Sequence, residues 1–397
     1  MTNGEKIRSI GLAMDDNNRS FTPRARMLAA YEGRFADAVP VAPEFWYYVP
    51  ARLMGVPMVQ FELEVPHWQA LLHTFRHYGC EGWGCVAPNA PSDWGGTRRS
   101  RMAEIAPGRF ERCETLTSGQ RTLTTRRIFD AHEPSWTIER PIKDFDADWP
   151  VYERMSLAPV EELDWRPVQR ALDAIGEDYL LEVSVGTPFI DYAGAPREGG
   201  FEQVIADLVD RQAEMEALQA RYIAHVTGKI RAAFAHTTAR SVFVGSGWSS
   251  MSLLSPNVWR KWEKPVLEAA VRAAHECGGL IHHHFHGRCM AVLPEVAALG
   301  LDCICPFERP PGGDVTDLAR VRRILGERTA FNGNVHTVAT LIRGTPVDVE
   351  RQVLEILEAF AGSPRLIVGT GDQVGAETPE ENIHMMIDTV RNYSRRT

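Results

Sequence analysis

From residue 160 onward the chain repeats one phrase: a short apolar run, a loop of small or polar residues, then a helical stretch. The runs fall at residues 179–185, 241–244, 279–282, 302–305, 330–331 and 365–368. Strands separated by helices of roughly 12 to 20 residues are the signature of right-handed βαβ units and a parallel sheet. Six of them in series, with further strands expected earlier in the chain, predict an α/β fold of the closed (β/α)8 TIM-barrel type. Two helix starts support this register. Ser255-Pro256 pairs a cap residue with a first-turn proline, and Thr378-Pro379-Glu380-Glu381 reads as a capping box opening the last helix.

The earlier part of the chain breaks the rhythm. Residues 1–22 are polar and aperiodic, which predicts a flexible lead, and the barrel is expected over residues 23–397. Within it, residues 110–143 alternate and are rich in threonine around the turn pair Ser118-Gly119, which predicts an inserted antiparallel hairpin. The arginines of residues 98–101 and 320–323 read as solvated helix faces or loop charges. A net charge of −9 argues against nucleic acid as partner, because counterion release needs clustered cations. No apolar run reaches the ~20 residues that span a bilayer, and residues 1–40 show no apolar leader, so a cytoplasmic protein with reduced thiols is expected. The oligomeric state is open, a homodimer included.

A parallel barrel carries its chemistry on the loops after its strands. In this chain those loops collect imidazoles and carboxylates. His282, His283, His284 and His286 follow the third run, Glu308 the fourth, His336 the fifth and Asp372 the last. Side chains alternate along a strand, so His282, His284 and His286 share a face and His283 takes the other. His284, His286 and Asp372 form a candidate site for a divalent metal, zinc first, with Glu308 beside it. His336, Glu308 and His282 are the candidate catalytic groups, since imidazole and carboxyl groups manage protons near neutrality. Trp46, Tyr48, Trp83, Trp248 and Ser249 are candidates for the wall of a small-molecule pocket. Cys303 and Cys305 read as apolar core residues rather than ligands.

Several of these segments resemble the uroporphyrinogen decarboxylase superfamily. They are residues 254–265, His284 to Gly287, residues 293–300, Gly333 to Val335, Gly344 to Pro346 and residues 369–382. The resemblance implies a (β/α)8 barrel. It also implies one of two chemistries. Decarboxylases of the superfamily hold propionate groups with an arginine-rich segment near the N-terminus. Here that region reads Pro43-Glu44-Phe45-Trp46-Tyr47-Tyr48, and the neighbourhood of Glu81 replaces an expected aspartate. The corrinoid-dependent methyltransferases bind zinc through an H-x-C motif and a later cysteine. His284-x-His286 and Asp372 occupy those positions here. The expectation is therefore a metal-dependent enzyme that moves a methyl group from a small O- or N-methylated compound to a corrinoid on a partner protein. The alternative is a decarboxylase or lyase of a small aromatic carboxylic acid.

Overall fold

The computed structural model describes residues 21–395, so nearly all of the expected lead lies outside the described residues. Eight strands run parallel in one curled sheet. They are β1 (Val41–Ala42), β2 (Trp83–Val86), β7 (Leu180–Gly186), β8 (Ser241–Ser246), β9 (Leu280–Phe285), β10 (Cys303–Cys305), β11 (Ala330–Val335) and β12 (Leu366–Thr370). Their hydrogen-bonded order is β1-β12-β11-β10-β9-β8-β7-β2, which follows the chain around a (β/α)8 barrel. The two ends of the sheet meet through a side chain. Glu81, just ahead of β2, accepts the Val41 N–H at 3.0 Å and pairs with Arg26 at 2.6 Å.

Two apolar layers hold the barrel. The larger lies between the strands and the outer helices and includes Val183, Val242, Ile281, Ile304 and Val368. The smaller fills the lumen with Trp83, Leu180, Phe243, Cys303, Cys305 and Ile367. The lumen's N-terminal end is plugged by helix Pro23–Glu32, which contributes Met27 and Tyr31. This helix starts where Thr22 accepts the Ala25 N–H ahead of Pro23 and stops at Gly33, whose φ of 68° suits a residue without Cβ.

The insertion is larger than a hairpin. A four-stranded antiparallel meander is formed by β3 (Thr97–Ala106), β4 (Arg109–Ser118), β5 (Arg121–Phe129) and β6 (Trp136–Glu139). The turn between β4 and β5 falls at Gly119-Gln120, beside the expected pair. Strand β3 was invisible to alternation because it is exposed along its whole length, with charges on both faces. Arg98, Arg99 and Arg101 therefore sit on a strand, not on a helix or loop. Charges along an exposed edge also oppose pairing with another chain. The arginines of residues 320–323 do lie on a helix, Leu318–Leu325. The meander is tied to the barrel through Leu116, Leu123, Trp94 and Val151, the last on helix Phe145–Ser156.

No helix among the described residues is long and apolar enough to cross a membrane.

Candidate functional site

A column of polar groups climbs the lumen. Deepest is Glu182 of β7, fully buried, which accepts the Ser241 hydroxyl at 2.6 Å and meets His282 Nδ1 at 2.8 Å. The other nitrogen of His282, Nε2, lies 3.0 Å from Cys305 Sγ, and its ring packs edge-on against Trp83 and Tyr31. His282, expected among the catalytic groups, thus has both ring nitrogens engaged below the mouth. His283 points outward as expected, bonded to the Val244 carbonyl at 2.9 Å, and burial holds its imidazole down to about 4.

Above His282 the ligand-forming atoms converge. His284 Nδ1 lies 3.3 Å from Cys305 Sγ and 3.8 Å from Glu44 Oε2, at the C-terminal end of β1. His286 Nδ1 lies 3.6 Å from Asp372 Oδ2 and 3.3 Å from Glu308 Oε2. The rings of His284 and His286 are 6.1 Å apart and parallel within 7°. Two sets of ligand atoms arise, each within 4.8 Å: Glu44, His284 and Cys305, and His284, His286 and Asp372. A tetrahedral site with bonds of about 2.1 Å places its ligands about 3.4 Å apart, so both sets are close to the required span.

The environment suits ligation. Burial, then the neighbouring His286, holds the His284 imidazole well below its usual range, leaving a neutral ring with a lone pair to offer. Burial, followed by Asp372 and Glu308, raises the Glu44 carboxyl. Burial also raises Cys305 far above an ordinary thiol, so with no cation beside it the sulfur keeps its proton. The outer pair faces solvent: His286 is 39 % and Asp372 35 % exposed, against 13 % for His284. Asp372 holds φ at 142°, a backbone strain of the kind that collects at functional sites. Gly287, with φ of 88°, donates its N–H to Glu308, and a Cβ there would press on Ser250 and Ser252.

Glu44 and Cys305 lie outside the expected ligand set. Glu44 was marked only by its place directly after a strand. Cys305 is indistinguishable in sequence from its core neighbour Cys303, and only the register Cys305↔His284 between β10 and β9 brings it to the site.

The remaining expected residues divide. Trp83 lines the lumen beside His282 and His284, and Trp46 packs on Trp83 with ring centres 5.8 Å apart, so these two wall the basin. Tyr48 turns instead to Glu133 beyond β5, at 2.7 Å, and burial with that carboxylate pushes its hydroxyl up to about 12. His336 is a cap. Its Nδ1 accepts the N–H groups of Val338 and Ala339 at 3.2 and 3.1 Å, while Nε2 reaches the Pro310 carbonyl at 3.1 Å. Nδ1 thus caps the π-helical turn Thr337–Ile342 and Nε2 is held by Pro310, so both ring nitrogens are engaged.

Trp248 and Ser249 are held by Asp191, which accepts the N–H groups of Gly247 and Trp248 and the Ser249 hydroxyl, the last at 2.5 Å. The Trp248 ring packs edge-on against Phe201. Beside Asp191 lies Glu263, fully buried, accepting the N–H groups of Phe189 and Ile190. Burial, then Asp191, pushes the Glu263 carboxyl up to about 8. A carboxyl raised on folding keeps a proton that the unfolded chain has released, so its stability contribution fades as pH climbs from about 4.5 to about 8. Glu263→Gln keeps one acceptor oxygen for the Phe189 and Ile190 N–H groups and removes the titrating proton. Thermal melts from pH 5 to pH 9 should show the decline with pH reduced in this variant.

Residues 166–393 match the family model of uroporphyrinogen decarboxylase (URO-D). The chain is 24% identical over 279 residues to the uroporphyrinogen decarboxylase of Aromatoleum aromaticum, spanning 65% of this chain and 71% of that one. It is 25% identical over 284 residues to the enzyme of the same name from Azoarcus sp., with the same coverage of 65% and 71%. Among solved structures, a methyltransferase from Methanosarcina mazei superposes with a TM-score of 0.62 at 16% identity, covering 94% of this chain and 99% of that one. That likeness is one of fold. With more than half of its length matched by the family model, the chain belongs to the uroporphyrinogen decarboxylase family.

Proposed function

We propose that this member of the family is a metal-dependent methyltransferase, taking a methyl group from a small O- or N-methylated compound to a corrinoid carried by a partner protein. The observation that carries this reading is the convergence of His284, His286 and Asp372 at the open mouth of the barrel, with Glu44 and Cys305 directly below. A divalent ion held there, zinc first, supplies Lewis acidity toward the oxygen or nitrogen that bears the methyl group. His284, fixed from below by the Cys305 contact, would set the position of the ligand group. Asp372 and His286, the exposed pair, would leave the remaining side open to substrate. Trp46 and Trp83 would exclude water from the buried side. Glu308, 3.3 Å from His286 and outside the proposed ligand set, would deliver the proton that the departing heteroatom needs.

The test is methyl transfer from a panel of methoxy-arenes and methylamines to free cob(I)alamin, followed by its spectral change. Transfer that vanishes in Asp372→Ala supports the reading, and no turnover across the panel counts against it. One observation favours a second reading: both sequence relatives named above are decarboxylases. Release of labelled CO2 from small aromatic acids in the absence of any corrinoid would put that reading first.

A further inference from the structure

The face of the inserted sheet that looks toward the barrel contains an electrostatic arrangement that folding alone does not explain. Arg112 of β4 and Arg127 of β5 stand directly opposite each other in the antiparallel ladder. Like charges so placed destabilise a sheet. Both guanidinium groups lie over one ring, that of Phe129, at 4.9 and 5.7 Å. Neither makes a direct ion pair among the described residues, although Glu114 and Glu62 lie near enough to act on Arg112. Glu114, the acid on the same strand face, is taken by Arg98 at 2.7 Å. Arg127 reaches Glu62 only through the Ser135 hydroxyl, at 2.8 and 3.0 Å along that chain, and its Nε is buried with no partner. Arg112 makes no hydrogen bond or ion pair among the described residues. Burial and the nearness of Arg127 hold its pKa below the usual arginine range.

These two arginines line a cavity of about 250 Å³ together with Leu116 and the Arg98-paired Glu114 of the same sheet, and with Tyr152 and Met155 of helix Phe145–Ser156 on the other side. We propose that this cavity binds a small organic carboxylate, gripped by Arg112 and Arg127, with its apolar body against Leu116, Tyr152 and Met155. The donor chemistry fits: guanidinium groups present planar pairs of N–H groups that match a carboxylate. An anion between the two arginines also converts their repulsion into attraction to a shared partner. The cavity borders Ala195 and Pro196, in the segment that follows β7, and Ile142 donates its N–H to the Pro196 carbonyl at 3.0 Å. A bound ligand would therefore clamp the insertion onto the barrel wall. This site is separate from the metal basin and does not rest on the proposed methyl transfer.

Benzoate is the probe, titrated calorimetrically into the full chain and checked by thermal shift, with inorganic phosphate as the contrasting anion. Benzoate should bind and raise the melting temperature. Arg112→Gln and Arg127→Gln should each weaken binding by at least about tenfold, the scale of one lost charge-assisted bond. Asp372→Ala should bind benzoate as the wild type does. Without ligand, Arg112→Gln should melt no lower than the wild type, since it removes an unfavourable pair; a purely structural arginine would show a fall. If Arg127→Gln fails to fold, Arg112→Lys provides the second reading: it keeps the charge and loses the fork, and should still lower benzoate affinity. The proposal is overturned if millimolar benzoate neither binds nor stabilises, if its effect survives unchanged in Arg112→Gln, or if phosphate binds in its place.

Discussion

His284→Ala is expected to abolish the zinc binding proposed above, with content after gel filtration falling from near one ion per chain in the wild type to under about a tenth. His284 is the residue common to both convergent sets, so no arrangement of the remaining groups keeps three ligands within 4.8 Å. Asp372→Ala and Cys305→Ser then separate the two sets. If the ion sits at the mouth, Asp372→Ala lowers zinc content as far as His284→Ala does, and Cys305→Ser leaves it near the wild-type value. If it sits below, the order reverses. Cobalt substitution offers an independent readout, because a thiolate ligand adds an intense near-ultraviolet charge-transfer band that carboxylate and imidazole do not. Circular dichroism of each variant should match the wild type, since His284 and Asp372 lie at strand ends outside the apolar layers and serine is nearly isosteric with Cys305 in the lumen. Retention of a full complement of zinc by His284→Ala would remove the basis for the metal site.

Glu182→Ala is expected to lower the free energy of unfolding by about 3–5 kcal/mol, the scale for removing one member of a buried charged and hydrogen-bonded set. Glu182 is fully buried and accepts from both Ser241 and His282, on the two strands next along the sheet. Alanine leaves a ring N–H in the lumen with no acceptor and no access to water, and leaves the Ser241 hydroxyl only the Val242 carbonyl at 3.4 Å. Glu182→Gln keeps one acceptor oxygen and should recover about half of the loss. Denaturant titration followed by tryptophan fluorescence measures both. A change below about 1 kcal/mol for the alanine variant would show that water enters the lumen and takes over the hydrogen bonds.

The histidine run shows how far local pattern reaches. Alternation along β9 correctly separates His283 from His282 and His284, because the direction of a side chain on a strand is a local property of the backbone. It cannot assign depth. His282 and His284 share a face, yet one is locked between Glu182 and Cys305 while the other stands at the edge of the basin. That difference comes from strands β7 and β10, which are remote in sequence from His282. His336 illustrates the same limit: its place after β11 suggests chemistry, and its ring nitrogens are engaged by the turn that follows and by the Pro310 carbonyl.

The sequence by itself determined the parallel barrel, because the period of its apolar runs and its helix caps are written in neighbouring residues. It also determined that imidazoles and carboxylates would gather at the strand ends, because the barrel places every such loop on one face. Strand β3 lay beyond its reach, since a strand exposed on both sides has no apolar period to betray it. Only the tertiary structure decided that Glu44 and Cys305 join the site and that Arg112 faces Arg127 over a cavity. Those pairings depend on the register between strands and on how the sheet curls. Register is set by the packing of whole faces, not by the residues that end up adjacent.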